Sequence, residues 1–283
     1  MKSNKTMLFC GGDSRLITTA ECFAADGYMC KTYCCSDGNF TGLEKLDSID
    51  CFPDYVILPV PSFINNERLN CKTFISPEQM FSKLRQGTVV FVGMISEFIF
   101  RSSREYNLTV YDYAAREEFS QMNAVPTAEA AILCAANKID RTIFGSSFSI
   151  IGYGRIGKAL AKRLCALGGS VTVAARSVSA LTSAMCDGYN ACELSRYLSS
   201  PIDADVCFNT VPCRIISEKS VKNGRCKVFI DLASSPGGFC TGAEALLGDR
   251  LEKALSLPGK YSPVSAGEII YKTVSTMINE IGG

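Results

Sequence analysis

Short apolar runs along the chain alternate with stretches whose apolar positions recur at helical spacing. Met7-Leu8-Phe9-Cys10 reads as a first strand. Gly11-Gly12-Asp13-Ser14 turns it into a helix with Leu16, Ile17, Ala20 and Phe23 on one face, capped by Ser14 or Asp13. Tyr28 to Cys34 gives a second strand, followed by a polar loop through Gly42. Tyr55-Val56-Ile57-Leu58-Pro59 is nearly all apolar, as expected of a parallel strand covered on both faces. A short helix starts near Pro77 and ends over Phe81 to Leu84, and Thr88–Val92 and Leu108–Asp112 complete the series of strands. Strands alternating with helices predict a parallel, three-layer α/β domain over residues 1–125.

Pro126-Thr127-Ala128-Glu129 then opens an alanine-rich run, read as a connecting helix over 126–140 with Thr127 as its cap and Glu129 in its first turn. A second α/β domain is expected over 141–265, with strands at Phe148–Ile151, Ser170–Ala175, Val206–Thr210 and Val228–Leu232. In the last stretch, 266–283, Ile269, Ile270, Val274, Met277, Ile278 and Ile281 share a helical face that would pack back across the domains. The fold class is therefore α/β, two three-layer domains with parallel sheets, and the second is of the Rossmann dinucleotide-binding kind.

That last statement rests on Gly152-Tyr153-Gly154-Arg155-Ile156-Gly157, a G-x-G-x-x-G between a strand and a helix. Gly152 permits the turn, Gly154 lets a pyrophosphate approach the backbone, and Gly157 lets the helix pack on the strand. Arg155 and Ile156 open the helix, whose N-terminal N–H groups favour an anion. The end of the next strand selects the nucleotide. NAD enzymes usually place a carboxylate there for the ribose hydroxyl. Here it reads Ala175-Arg176-Ser177, a guanidinium and a hydroxyl suited to a 2′-phosphate, so NADP is the expected cofactor. Asn209, Thr210 and Pro212, ending a later strand, are expected beside the nicotinamide ribose.

Composition narrows the class further. Lysine plus arginine total 29 against 28 acidic residues, which leaves no basic field for nucleic acid. No run approaches the ~20 apolar residues of a membrane span, and no leader is visible, so a soluble, cytoplasmic protein is expected. The 15 cysteines are scattered through strands and helices, with no C-x-x-C and no histidine to share a metal, so no metal site is expected and most are read as small apolar residues in a reducing compartment. The absence of histidine also removes the usual acid/base of dehydrogenases, leaving Asp13, Glu129 and Asp231 as candidate catalytic carboxylates near strand ends or helix starts.

Several stretches together resemble the dipicolinate synthase A subunit family. They are Gly11-Gly12-Asp13-Ser14-Arg15, Val56 to Val60, Arg116-Glu117-Glu118 with Pro126 to Glu129, the glycine fingerprint with Ala175-Arg176-Ser177, Asn209 to Pro212, Asp231-Leu232-Ala233-Ser234, and Leu257-Pro258-Gly259-Lys260. Ser235 departs from the family pattern, which has an arginine there. The resemblance implies NADP-linked oxidation of dihydrodipicolinate, or of its hydroxylated tetrahydro precursor, to dipicolinate. It also implies a partner, the dipicolinate synthase B subunit, work in a homo- or hetero-oligomer, and a setting in the mother cell of a spore-former. A dicarboxylate substrate needs cations or backbone N–H groups: Arg15, expected to face the same interdomain cleft as the nicotinamide, and Lys260 are the candidate cations, and Ser62 is a candidate hydroxyl. The alternatives are a 2-hydroxyacid or shikimate-type dehydrogenase, or a non-catalytic NADP-sensing or partner-binding protein.

Overall fold

The computed structural model describes residues 5–36 and 42–282; most of the polar loop expected before Gly42 lies outside the described residues. The chain divides into two compact units, 5–123 with 258–282, and 124–257.

In the first unit β1 (Thr6–Cys10) leads into α1 (Ser14–Ala25), followed by β2 (Met29–Tyr33), β3 (Glu44–Leu46) and β4 (Tyr55–Ile57). A small hairpin of β5 (Phe63–Ile64) and β6 (Arg68–Leu69) precedes α2 (Pro77–Phe81), β7 (Val89–Val92), α3 (Glu97–Glu105) and β8 (Thr109–Asp112). The main sheet is six-stranded and parallel, in the order β3-β2-β1-β4-β7-β8. Leu8, Phe9, Val56, Ile57, Val90 and Phe91 are fully buried, which is why these strands carry unbroken apolar runs. Asp13 caps α1 by accepting from the Arg15 N–H at 3.1 Å, and Ser76 with Gln79 forms a capping box on α2.

α4 (Glu117–Ala136) departs from expectation. It is one helix that begins nine residues before Pro126 and carries that proline in its interior. Thr127 and Glu129 therefore stand mid-helix, neither a cap nor a first-turn acid. The helix tolerates the hydrogen bond lost at Pro126 because it is packed on both sides of that point: Phe119 belongs to the first unit's core, while Ala128, Ala131 and Ala135 belong to the second's.

The second unit contains β9 (Ser147–Ile151), α5 (Arg155–Ala166), β10 (Ser170–Ala175), α6 (Val178–Cys186), β11 (Asn190–Glu193) and α7 (Leu194–Leu198). It continues with β12 (Val206–Asn209), α8 (Glu218–Val221), β13 (Val228–Asp231), α9 (Thr241–Leu247) and β14 (Leu251–Lys253). Its parallel sheet has the order β11-β10-β9-β12-β13-β14. The chain then forms α10 (Leu257–Tyr261) and α11 (Pro263–Gly282). α11 packs on α1: Thr19 Oγ1 donates to Gly267 O at 3.0 Å, and Ile270, Val274 and Met277 join Leu16, Ala20 and Phe23 in one core. The edge strands β3, β11 and β14 had no sequence signal, since an edge strand of three or four half-exposed residues needs no apolar run.

Each sheet has one place where the chain order reverses, between β1 and β4 in the first and between β9 and β12 in the second. Ligands of open α/β sheets bind outside the carboxyl ends of the strands at such points. Asp13 and Arg15 follow β1 at the first of these points, and Gly152 to Gly157 follow β9 at the second.

Candidate functional site

At the end of β9 the chain turns sharply. Gly152 has φ +94°, its N–H donates to Ala174 O at 2.8 Å, and any Cβ on it would collide with Thr210 Oγ1. A Cβ on Gly157 would likewise collide with Gly152 O, so this pair packs helix against turn. Gly154 differs, because a side chain there would meet nothing within 4 Å. The open face lies where a pyrophosphate approaches the backbone, and Gly154, as the N-cap of α5, leaves the helix without a side-chain cap. Arg155 is exposed and Ile156 half-buried in that first turn. The geometry fits a dinucleotide.

Arg176 is exposed at the end of β10 and has no partner among the described residues. Ser177 caps α6 by accepting from Ala180 N at 3.2 Å, which leaves its hydroxyl proton to donate. Tyr153, between the first two glycines, is buried and donates to Asp187 Oδ2 at 2.6 Å; burial and that carboxylate raise its pKa. Sequence reasoning passed over it, since a tyrosine between two glycines has no periodicity to reveal burial.

The ends of β12 and β13 correct two expectations. Asn209 is fully buried: its Nδ2 donates to Asp231 Oδ1 at 2.8 Å and to Val211 O at 3.0 Å, while its Oδ1 accepts from Val211 N. Asp231, 2% exposed, also accepts from Ala233 N at 3.2 Å and Gly238 N at 2.9 Å. Neither side chain is free for cofactor or substrate; together they fold the segment Leu232–Gly238. Bare glycines are needed around them, since a Cβ on Gly237 would lie 2.7 Å from Asp231 Oδ2 and one on Gly238 would collide with Asn209 Nδ2. Thr210 commits its hydroxyl proton to Ile151 O at 2.9 Å, and Pro212 is exposed.

In the first unit, Asp13, Arg15 and the Pro258–Lys260 segment meet although the chain separates them widely. Arg15 makes a two-pronged pair with Asp13, Nε to Oδ1 at 2.9 Å and Nη2 to Oδ2 at 2.9 Å, and Nη2 also donates to Val60 O at 3.0 Å. Its side chain is 12% exposed and that of Asp13 48%. Arg15 Nη1 has no partner among the described residues. Three consecutive carbonyls after β4 are held by side chains from different places: Tyr113 Oη donates to Leu58 O at 2.8 Å, Ser62 Oγ to Pro59 O at 2.7 Å, and Arg15 to Val60 O. Ser62 also accepts from Gly93 N at 2.7 Å and is 1% exposed, so it braces this segment and cannot offer a hydroxyl to substrate. Tyr113 is fully buried, which raises its pKa well above the usual phenol range. It gave no sign in the sequence beyond that of a core aromatic. Lys260 is exposed on α10, next to Gly259, which faces the ion pair.

Glu129 is exposed in the middle of α4 and pairs with Arg163 at 3.0 Å. Of the three candidate carboxylates, Asp13 alone combines exposure with a neighbouring cation at a strand end. None of the 15 cysteines, all among the described residues, is in a disulfide; five are buried, seven half-buried and three exposed, so fewer are core residues than expected. Among the described residues no group of three or more Cys, Asp or Glu could hold a metal ion, and no helix is long and apolar enough to cross a membrane.

The second sheet and its glycine turn define a dehydrogenase-type NAD(P)-binding domain, and residues 116–226 match the family model of the D-isomer specific 2-hydroxyacid dehydrogenase NAD binding domain. Residues 6–114 match the dipicolinate synthase A subunit N-terminal domain. Over 258 residues the chain is 30% identical to the dipicolinate synthase A subunit of Bacillus subtilis (strain 168), covering 87% of this chain and 85% of that one. The chain belongs to the dipicolinate synthase A subunit family. The crystal structure of the dipicolinate synthase A subunit from Bacillus halodurans superposes with a TM-score of 0.87 at 24% identity, covering 98% of each chain. That of the Bacillus subtilis A chain gives 0.82 at 24%, covering 100% of this chain and 98% of that one. A transhydrogenase from Sinorhizobium meliloti shares the fold at 0.65 and 15%, over 97% and 94%.

Proposed function

We propose that this chain is the NADP-dependent oxidoreductase component of a dipicolinate synthase. It would oxidise dihydrodipicolinate, or the hydroxylated tetrahydro precursor after loss of water, to dipicolinate. The observation that carries the NADP reading is Arg176, exposed and unpartnered among the described residues, where an NAD enzyme places a carboxylate. Family membership supports the substrate.

The reaction balances simply: the dihydropyridine ring loses a hydride and a proton and becomes aromatic. A dinucleotide held by the Gly152–Gly157 turn and Arg176 would supply the hydride acceptor. In this reading Arg15 holds one ring carboxylate through Nη1, with Asp13 and Val60 O fixing its other nitrogens. Lys260 supplies a second cation, and Asp13 accepts the ring proton. Because aromatisation drives the chemistry, these residues act mainly by alignment. A 2-hydroxyacid dehydrogenase reading lacks its usual histidine base, since the chain contains no histidine. We place the protein in the cytoplasm of a spore-former's mother cell, working in an oligomer with the B subunit of the synthase.

The test is to supply the purified chain, with and without the B subunit, with NADP and freshly made dihydrodipicolinate. NADPH and dipicolinate should appear in equal amounts. Arg15→Ala should raise KM for the dicarboxylate by an amount equivalent to ~2–4 kcal/mol and leave NADP affinity unchanged. No NADPH in either mixture refutes the function.

A further inference from the structure

Gly259 breaks a local rule. It lies inside α10 with φ outside the left-handed region, so the backbone does not ask for glycine, and alanine is the better helix former. The reason is spatial. A Cβ at this position would lie 2.9 Å from Arg15 Nε, 3.1 Å from Arg15 Cζ and 3.2 Å from Asp13 Oδ2, too close to both members of the ion pair at once. The guanidinium cannot yield freely, because Asp13 and Val60 O fix Nε and Nη2. The preceding residue, Pro258, is buried.

We infer that Gly259 is a positioning residue: its bare Cα sets where the Arg15 guanidinium rests against Asp13, and hence where Nη1 meets a ring carboxylate. The carboxylate half of this statement rests on the proposed function, whereas the packing half does not. Gly259→Ala adds one methyl group to the pair and changes no charge. The guanidinium must give way by a few tenths of an ångström, which strains its bonds to Asp13 and Val60 O, and Nη1 moves with it.

A double-mutant cycle reads the packing directly. Gly259→Ala alone should lower the melting temperature by about 5 °C, the scale expected when a methyl is forced into a filled space. In an Arg15→Ala background the same methyl occupies vacated space, so it should cost no more than about 1–2 °C further, a clear departure from additivity. Equal losses in both backgrounds overturn the inference. If Gly259→Ala does not fold, the double variant Arg15→Ala with Gly259→Ala must fold, and its failure to do so also overturns it.

The positioning role is read by kinetics with dihydrodipicolinate, NADP and the B subunit. Gly259→Ala should raise KM for the dicarboxylate about tenfold while Kd for NADP stays within about twofold, the signature of a displaced anchor rather than a loosened protein. Unchanged KM overturns the positioning role. If Arg15→Ala itself leaves KM unchanged, the anchor assignment fails, and the thermal cycle still decides the packing.

Discussion

Asp231→Asn separates a structural from a catalytic carboxylate. Asp231 Oδ1 accepts two N–H groups, from Asn209 and Ala233, and Oδ2 accepts one from Gly238, all buried. An asparagine brings one oxygen and one NH2. If the NH2 faces Asn209 and Ala233, two donors confront it; if it faces Gly238, one does. Rotating Asn209 to compensate would break both of its bonds to Val211. At least one buried donor is therefore left unpaired, at about 1–3 kcal/mol, and the loss of charge-assisted bonds brings the total to about 2–4 kcal/mol. For a unit the size of Ala124–Leu257 this corresponds to roughly 5–12 °C in melting temperature. The assay is calorimetric melting beside single-turnover oxidation at a temperature where the variant is folded. The expected outcome is a large thermal loss with the rate of the folded fraction retained within about threefold, too little for a missing general base. A melting temperature within about 1 °C of the parent, combined with a rate fall of about a hundredfold or more, would refute the structural assignment and return Asp231 to the chemistry.

Arg176→Asp should shift the NADP-to-NAD affinity ratio toward NAD by at least about tenfold, since a charge-assisted contact is exchanged for repulsion; calorimetry giving an unchanged ratio counts against NADP. Asp205 has its pKa lowered, chiefly by the Ser147 backbone N–H, with the Ser147 hydroxyl, Arg141 and Arg225 adding to it. A lowered folded-state pKa means that its contribution is present above the unfolded value of about 3.9 and is lost as pH falls through the folded value. Asp205→Asn should therefore destabilise at about pH 7 and flatten the acid limb below about pH 4, and parallel acid melts of parent and variant would contradict this. Native labelling with a thiol reagent at neutral pH should reach Cys165, Cys186 and Cys213 first. Cys30 and Cys226, whose thiols burial pushes up to about 12, should react only after denaturant; native labelling of either as fast as Cys213 would show the core to be open.

Much of this protein was legible in the linear chain, for reasons of period and local chemistry. Parallel strands buried on both faces need continuous apolar runs, so Met7–Cys10, Tyr55–Ile57, Phe148–Ile151 and Val228–Leu232 announce themselves. The glycine turn is equally local: Gly152 answers a backbone demand, Gly157 a packing demand against Gly152, Gly154 leaves the helix start open, and Arg176 directly follows β10. Asp13 as a cap could be read from the turn it ends.

What the sequence could not show is which polar side chains remain available once the chain has closed. Asn209, Asp231 and Ser62 sit at strand ends and look functional, but pairings across the fold consume them, because buried polar groups must be satisfied from wherever a partner lies. Pro126 looks like a helix start, yet packing on both sides carries one helix through it. Nothing in the neighbouring sequence marks Gly259 as a residue that must stay bare. Only the return of the chain at α10 lays it against Arg15 and Asp13, a contact spanning most of the chain's length that no local pattern encodes. Local propensity and periodicity are short-range properties, whereas the freedom of a charged group is decided by every element that packs around it, and that is settled only in three dimensions.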